Sequence, residues 1–132
     1  EGRISACDQV MEGLTAHGIP LQIMLLDPIV LPVSVDSRTG MITLNTLKQI
    51  KSRYPEVRTT LGLSNISYGL PNREVVNRMF LLMAMYAGLD SAIIDPLDCK
   101  LMSSIKVGRM LMSEDPFCKE YLAAHRRGEF KE

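Results

Sequence analysis

A chain of 132 residues with 46% apolar and 23% charged residues can enclose one modest hydrophobic core. Its 15 basic and 15 acidic residues cancel, so no global field draws it to nucleic acid or to an anionic membrane surface. The longest apolar run, Met79 to Leu89, falls short of the roughly 20 residues that cross a bilayer, and the first residues do not read as a secretory signal peptide. Cys7, Cys99 and Cys118 lie far apart, with no CxxC pair and no Cys/His cluster. That spacing predicts neither a disulfide framework nor a zinc site, but reduced thiols in a cytoplasm. The nine methionines read as adaptable core rather than as a metal or redox box. Glu1-Gly2-Arg3 reads as the middle of a loop, which points to an upstream portion.

Apolar residues at Cys7, Val10, Met11 and Leu14 fall at helical spacing and predict an amphipathic helix over about Ser5 to His17, capped by Gly18. Leu21 to Leu26 is short and mostly apolar. It ends at Asp27-Pro28, where proline stops a ladder, and so predicts a strand. After a loop rich in Pro, Ser and Asp, a helix is predicted from about Thr43 to Tyr54. Leu44, Leu47 and Ile50 face inward, its lysines face water, and Pro55 ends it. Val57 to Leu63 predicts a second strand that runs into Ser64-Asn65 and a turn-prone stretch. A third helix is predicted to start near Pro71, a residue suited to a first turn, and to reach Ala87 with Gly88 as cap. Ser91 to Ile94 predicts a third strand ending at Asp95-Pro96. A helix from about Cys99 to Met112 follows. Asp115-Pro116 then reads as cap and first turn of a last helix, ending in the basic cluster His125-Arg126-Arg127.

The strand ends Asp27, Asn65 and Asp95 recur roughly 30 to 40 residues apart, against about 31 residues per unit in a (β/α)8 barrel of roughly 250 residues. Alternating strand and helix also fits a doubly wound sheet. Three parallel strands alone would leave two naked edges. The preferred reading is therefore α/β: a partial (β/α)8 TIM barrel, with the last three parallel strands and four to five helices, residues 1–132 forming the C-terminal part of one domain.

In both architectures ligands sit at the C-terminal ends of strands. Taken singly, Asp27, Asn65 and Asp95 each read as turn or cap residues, and two of them stand in Asp-Pro pairs. Asn65 is the sharpest candidate. It lies in Gly62-Leu63-Ser64-Asn65-Ile66-Ser67-Tyr68-Gly69-Leu70-Pro71-Asn72-Arg73, where the glycines permit close approach of the backbone to a ligand.

That run, with Asn77-Arg78, Ala87-Gly88-Leu89-Asp90 and Ile94-Asp95-Pro96-Leu97-Asp98, resembles the methyltetrahydrofolate:corrinoid/iron–sulfur protein methyltransferases. Leu26-Asp27-Pro28-Ile29-Val30-Leu31-Pro32-Val33 looks like the preceding strand of the same family, and the resemblance covers nearly the whole chain. More distant relatives are the folate module of cobalamin-dependent methionine synthase and dihydropteroate synthase. The resemblance implies a (β/α)8 barrel with a pterin at its mouth, methyltetrahydrofolate as methyl donor, and a corrinoid carried by a partner protein as acceptor. It implies a homodimer at full length. Asn65 matches the family asparagine that hydrogen-bonds the pterin near N5 and is the expected catalytic residue. Asp27 matches an aspartate on the pterin ring, and Arg73 a folate-contacting arginine. Tyr68 falls at a contact position whose residue type varies, and Asp95 is expected to be structural. Further pterin-binding residues of the family precede Glu1, so the chain is expected to hold part of a site. The alternatives are a non-catalytic fragment or interaction module of the same fold, and another pterin enzyme such as a dihydropteroate synthase relative. The latter is weakened by the lack of a basic phosphate-binding signature.

Overall fold

The computed structural model describes residues 2–130. Its helices are α1 (Gly2–Ala16), α2 (Thr39–Arg53), α3 (Arg73–Tyr86), α4 (Cys99–Leu111) and α5 (Lys119–Arg126). Its strands are β1 (Leu25–Leu26) and β2 (Arg58–Thr59), and single 3-10 turns occupy Leu21–Ile23, Leu63–Ser67 and Pro116–Cys118.

β1 and β2 pair in parallel, Leu25 opposite Arg58 and Leu26 opposite Thr59. The Thr60 amide extends the ladder to the Leu26 carbonyl at 2.9 Å. A third extended segment lies on the far side of β2. Ser91 N–H donates to Thr59 O at 3.0 Å, Ile93 N–H to Leu61 O at 2.8 Å, and Leu63 N–H to Ile93 O at 3.2 Å. This is parallel pairing centred on Gly62 and Ile93. The expected neighbours and direction are present, but the segments are shorter than their apolar runs. Pro20, with φ fixed at −65°, starts a 3-10 turn that takes Leu21–Ile23 out of the first strand. Leu63 leaves the second strand for the 3-10 turn in which Ser67 Oγ donates to Ser64 O at 3.2 Å. Ser91–Ile94 joins the sheet through the one Gly62–Ile93 bridge.

The helices cover one face of this sheet. Met24, Leu26 and Val57 pack with Ile4, Cys7 and Met11 of α1 and with Ile50 of α2. Leu61, Leu63, Ala92 and Ile94 pack with Leu44 and Leu47 of α2, Leu81 of α3 and Leu101 of α4. Side chains alternate along a strand, and the alternate positions Leu25 and Ile93 are 52% and 74% exposed. Among the described residues the second face is bare.

Several boundaries move. Gly2 and Arg3, read as loop, lie in the first turn of α1. α2 begins at Thr39 rather than Thr43. α3 begins at Arg73 because Asn72 is left-handed at φ 49°, which places Pro71 outside the helix. Phe117 and Cys118 are left-handed as well, so Pro116 sits in a separate 3-10 turn and not in the first turn of α5. Asp115 still caps α5 across that turn, accepting from Glu120 N–H at 3.0 Å and Tyr121 N–H at 2.9 Å. Asp98 caps α4 through Leu101 N–H at 2.9 Å. α3 and α4 approach closely at Gly108, where a Cβ would meet Leu82 Cδ2 at 2.6 Å. The cysteines are free, Cys7 buried and the other two exposed. No helix among the described residues is long and apolar enough to cross a membrane.

The N-terminal ends of the extended segments are tied by Asp90. Its Oδ2 accepts from Thr59 N–H at 2.8 Å, from Thr59 Oγ1 at 3.1 Å and from Lys51 Nζ at 3.0 Å. Lys51 also donates to Val57 O at 3.1 Å. Its stem lies against Gly88, where φ is +103° and an added Cβ would meet Lys51 Cγ at 2.7 Å. Partial burial works against a charged Asp90. The Thr59 amide, the Lys51 ammonium and the Thr59 hydroxyl outweigh it and hold the carboxyl below its ordinary value. A carboxyl with a depressed folded pKa contributes stability above its unfolded pKa, near 3.9, and loses it as pH falls through the folded value. Asp90→Ala should therefore lower unfolding stability by about 1–3 kcal/mol at pH 7. In urea unfolding the gap from the parent chain should close below about pH 4; a gap independent of pH would show that the charge is not what matters.

Candidate active site

The parallel sheet brings Asp27, Asn65 and Asp95 to the C-terminal ends of three adjacent segments. Asp95 does what a turn residue does, its Oδ1 accepting from Leu97 N–H at 2.9 Å. Asp27 makes the same two-residue turn, Oδ1 accepting from Ile29 N–H at 2.8 Å. That turn closes around an unusual backbone, because Ile29 is left-handed at φ 62°. For a β-branched side chain this conformation costs on the order of 1–3 kcal/mol and persists only where neighbours enforce it.

Asn65 sits in the 3-10 turn after β2, with its Nδ2 donating to Val30 O at 2.6 Å. Only the amide nitrogen can serve a carbonyl acceptor, so this bond fixes which way the carboxamide faces. One N–H is used and a second remains. Two more bonds join the same loops: Val33 N–H to Ile66 O at 3.1 Å, and Ser34 Oγ to Tyr68 O at 2.6 Å. The segment after β1 and the segment after β2 thus form one braced surface, with Asp27 on one side and Asn65 on the other.

Arg73, the first residue of α3, reaches back over the 3-10 turn. Its Nε donates to Ser67 Oγ at 3.1 Å and its Nη2 to Ser64 O at 2.7 Å. It is exposed, yet tied to the turn that carries Asn65. Tyr68 is 63% exposed and meets its neighbours through its backbone, as donor to Asn65 O at 3.2 Å and as acceptor from Ser34. Asp27 lines an open groove of about 370 Å³ between α1 and α2, whereas Asn65, Tyr68 and Arg73 line none of the larger cavities. The four residues share an edge of the sheet but no enclosed pocket.

Four contributors escaped the sequence. Ser64 and Ser67 offer a recognisable signal, since a serine pair three apart before an arginine can build such a turn. Arg3 and Thr43, which hold the carbonyls of the Asp27 loop, offer none, because each lies on a helix remote in sequence from that loop.

Comparison with known proteins relates the chain as a whole to methyltransferases. No protein-family model matches the chain. It is 30% identical over 129 residues to a methylcorrinoid:tetrahydrofolate methyltransferase of Eubacterium limosum, covering 98% of this chain and 48% of that protein. It is 34% identical over 99 residues to a methionine synthase of Mycobacterium tuberculosis, covering 70% of this chain and 8% of that protein. A methionine synthase of Mycobacterium leprae is 35% identical over 101 residues, covering 71% of this chain and 8% of its own length. The chain is a corrinoid–folate methyltransferase-like region. It spans about half the length of the first of these relatives and less than a tenth of the other two.

The Asn65 amide bond makes a measurable claim. Asn65→Asp places a carboxylate oxygen against the Val30 carbonyl, two acceptors where a donor stood. Asn65→Ala merely removes the bond, at about 1 kcal/mol. In chemical unfolding at pH 7 the Asp variant should be less stable than the Ala variant by a further increment of about 1–2 kcal/mol. The gap should narrow near pH 3, where a protonated carboxyl can donate again. Equal stability at both pH values would remove the bond from the fold.

Proposed function

We propose that this chain is the C-terminal three βα units of a (β/α)8 pterin barrel. The intact barrel exchanges a methyl group between N5 of tetrahydrofolate and the cobalt of a corrinoid held by a partner protein. The observation that carries the reading is the placement of Asp27 and Asn65 at the C-terminal ends of adjacent parallel strands, with Asp27 bonded to the Ile29 amide and Asn65 to the next carbonyl of the same loop, that of Val30. This is where a barrel assembles its site, and similarity to a methylcorrinoid:tetrahydrofolate methyltransferase over 98% of the chain supports it. Helices on one face of the sheet, with Leu25 and Ile93 exposed on the other, are what a barrel wall presents.

The donor set fits a pterin. Asp27 engages only Oδ1 among the described residues, which leaves Oδ2 to accept from the aminopyrimidine edge. The second N–H of Asn65 is the donor for N5. When the methyl leaves N5 for Co(I), electron density grows on a nitrogen that is a poor leaving group. A hydrogen bond to N5 strengthens as that charge develops, which stabilises the transition state more than the ground state. A carboxamide is too weak an acid to give up its proton, so protonation of N5 draws on water or a longer network. The name of the first relative writes the methyl passing from corrinoid to tetrahydrofolate, the reverse of the direction argued from N5 as leaving group. Both directions cross one transition state, so the role of Asn65 is the same in each. Arg73, with Nη1 unengaged among the described residues, contacts the anionic tail of the folate. Tyr68 supplies an exposed face beside it. The corrinoid approaches over the barrel mouth on its carrier, an iron–sulfur protein in the family this chain resembles, and full-length barrels pair as homodimers in a reducing cytoplasm.

Two outcomes follow. In the intact barrel, Asn65→Ala should lower the rate constant for methyl transfer about ten- to a thousandfold, with a smaller loss of pterin affinity. Stopped-flow transfer to a Co(I) corrinoid, with affinity measured separately, reads both; wild-type rates would take Asn65 out of the mechanism. The 132-residue chain alone should not turn over. Two missing hydrogen bonds of about 1–3 kcal/mol each weaken pterin binding roughly ten- to ten-thousandfold, and the remaining strands that orient the substrate are lost with them. Turnover by the chain alone would refute the incomplete site.

A further inference from the structure

Arg3 stands in the first turn of α1, where the positive end of the helix dipole disfavours a cation and where the helix carries no acidic residue to offset it. Its guanidinium is used elsewhere. Nη1 donates to Pro28 O at 2.8 Å and to Ile29 O at 2.8 Å, and lies 3.3 Å from Thr43 Oγ1. Thr43 is fully buried and directs its own hydroxyl to Ile29 O at 3.3 Å. Both groups converge on the residue held left-handed at φ 62°. On its amide side Ile29 bonds Asp27 Oδ1, and the next carbonyl, that of Val30, receives Asn65 Nδ2. The carbonyls of Pro28, Ile29 and Val30 are thus all occupied, the first two by one guanidinium.

We infer that Arg3 is a positioning residue for the pterin site: by clamping Pro28 and Ile29 it holds the Asp27–Val30 turn in its left-handed form, and so sets the Asp27 carboxylate and the Asn65 amide together. The inference rests on the proposal that Asp27 and Asn65 bind the pterin. Arg3 itself touches no substrate in this account. The physical argument is one of population. An isoleucine released from its clamp returns to negative φ. Asp27 Oδ1 then loses the Ile29 amide, and the Val30 carbonyl turns away from Asn65. Apparent affinity falls in proportion to the fraction of molecules that keep the competent turn. A charge-assisted donor shared by two carbonyls suits the task, since such bonds are stronger than neutral ones. Glycine at position 29 can reach the same conformation without strain, so it depends far less on the clamp.

That last point separates positioning from a mere tie between α1 and the sheet. Methyltetrahydrofolate is titrated by calorimetry into the intact barrel with five sequences: parent, Arg3→Met, Arg3→Lys, Ile29→Gly, and Arg3→Met combined with Ile29→Gly. Arg3→Met is expected to weaken binding about ten- to a hundredfold in the parent background and threefold or less in the Ile29→Gly background. Arg3→Lys, which keeps the charge and three donors, is expected to retain most of the affinity. Unfolding in urea, measured on the same proteins, shows whether each variant is folded. If the parent binds and Arg3→Met binds as well, or if the loss is the same in both backgrounds, the inference is overturned while the proposed function stands. If the parent barrel itself fails to bind methyltetrahydrofolate, both fall.

Discussion

Parallel pairing between β1, β2 and the segment around Ile93 governs the rest of this structure. Strands running the same way cannot be joined by a tight turn, so each junction needs a crossover long enough to return to the starting edge. α2 is the crossover between Leu26 and Arg58, and α3 the crossover between Thr59 and Ile93. The order along the sheet advances in one direction, β1, β2, then Ile93. Crossovers of the usual right hand then fall on the same face every time. A doubly wound sheet covers both faces because its order reverses at a switch point; no reversal occurs among the described residues. The exposed side chains of Leu25 and Ile93 are the consequence. In the barrel we propose, that face would be interior, where layers of branched side chains pack.

The same constraint divides the labour between the two ends of the sheet. At the N-terminal end, Asp90, Lys51 and Thr59 form a compact network that joins α2 to two extended segments. Every acceptor oxygen there is used inside the protein, which suits stability and leaves little for a ligand. At the C-terminal end the bonds are of another kind. Asn65 Nδ2 to Val30 O, Ser34 Oγ to Tyr68 O and Val33 N–H to Ile66 O run between loops and leave side-chain valence over. Asp27 has a spare oxygen, Asn65 a spare N–H and Arg73 a spare Nη1 among the described residues. Loops braced against each other by backbone carbonyls can hold such groups still without consuming them.

How far this was legible in the sequence varies with the range of the interaction that decides each element. Helix faces are local: Leu44, Leu47 and Ile50 are buried as their spacing requires. The cap at Asp98 and the turns at Asp27 and Asp95 are local too, and formed as the residue types indicate. Strand length was not local. Leu21–Ile23 carries the apolar pattern of a strand, but Pro20 opens it as a 3-10 turn. Boundaries at Asn72, Phe117 and Cys118 depend on left-handed residues that nothing in their side chains demands, except for Asn72. At the candidate site, Asp27 and Asn65 could be placed at strand ends from spacing alone, and their family roles came from the resemblance. Neither the bond that joins their loops nor the hold of Arg3 on the turn could be read, because each spans more than 20 residues of sequence.

An asparagine suits the position of Asn65 for a reason the geometry makes visible. A hydroxyl has one hydrogen; committed to Val30, it would have none left for the bond to N5 that we propose. A lysine has three, but on a flexible stem and with a full charge that would have to be desolvated. A primary carboxamide carries two hydrogens on one planar nitrogen, so the bond to Val30 aims the other in a fixed direction. The rigidity is supplied when the loops fold, before any substrate arrives, which is the condition under which a hydrogen bond acts on a developing charge rather than merely on binding. The left-handed turn at Ile29 belongs to the same arrangement, since the Val30 carbonyl points at Asn65 only while residue 29 keeps its positive φ. Local backbone strain here is the means by which one loop orients a donor on another.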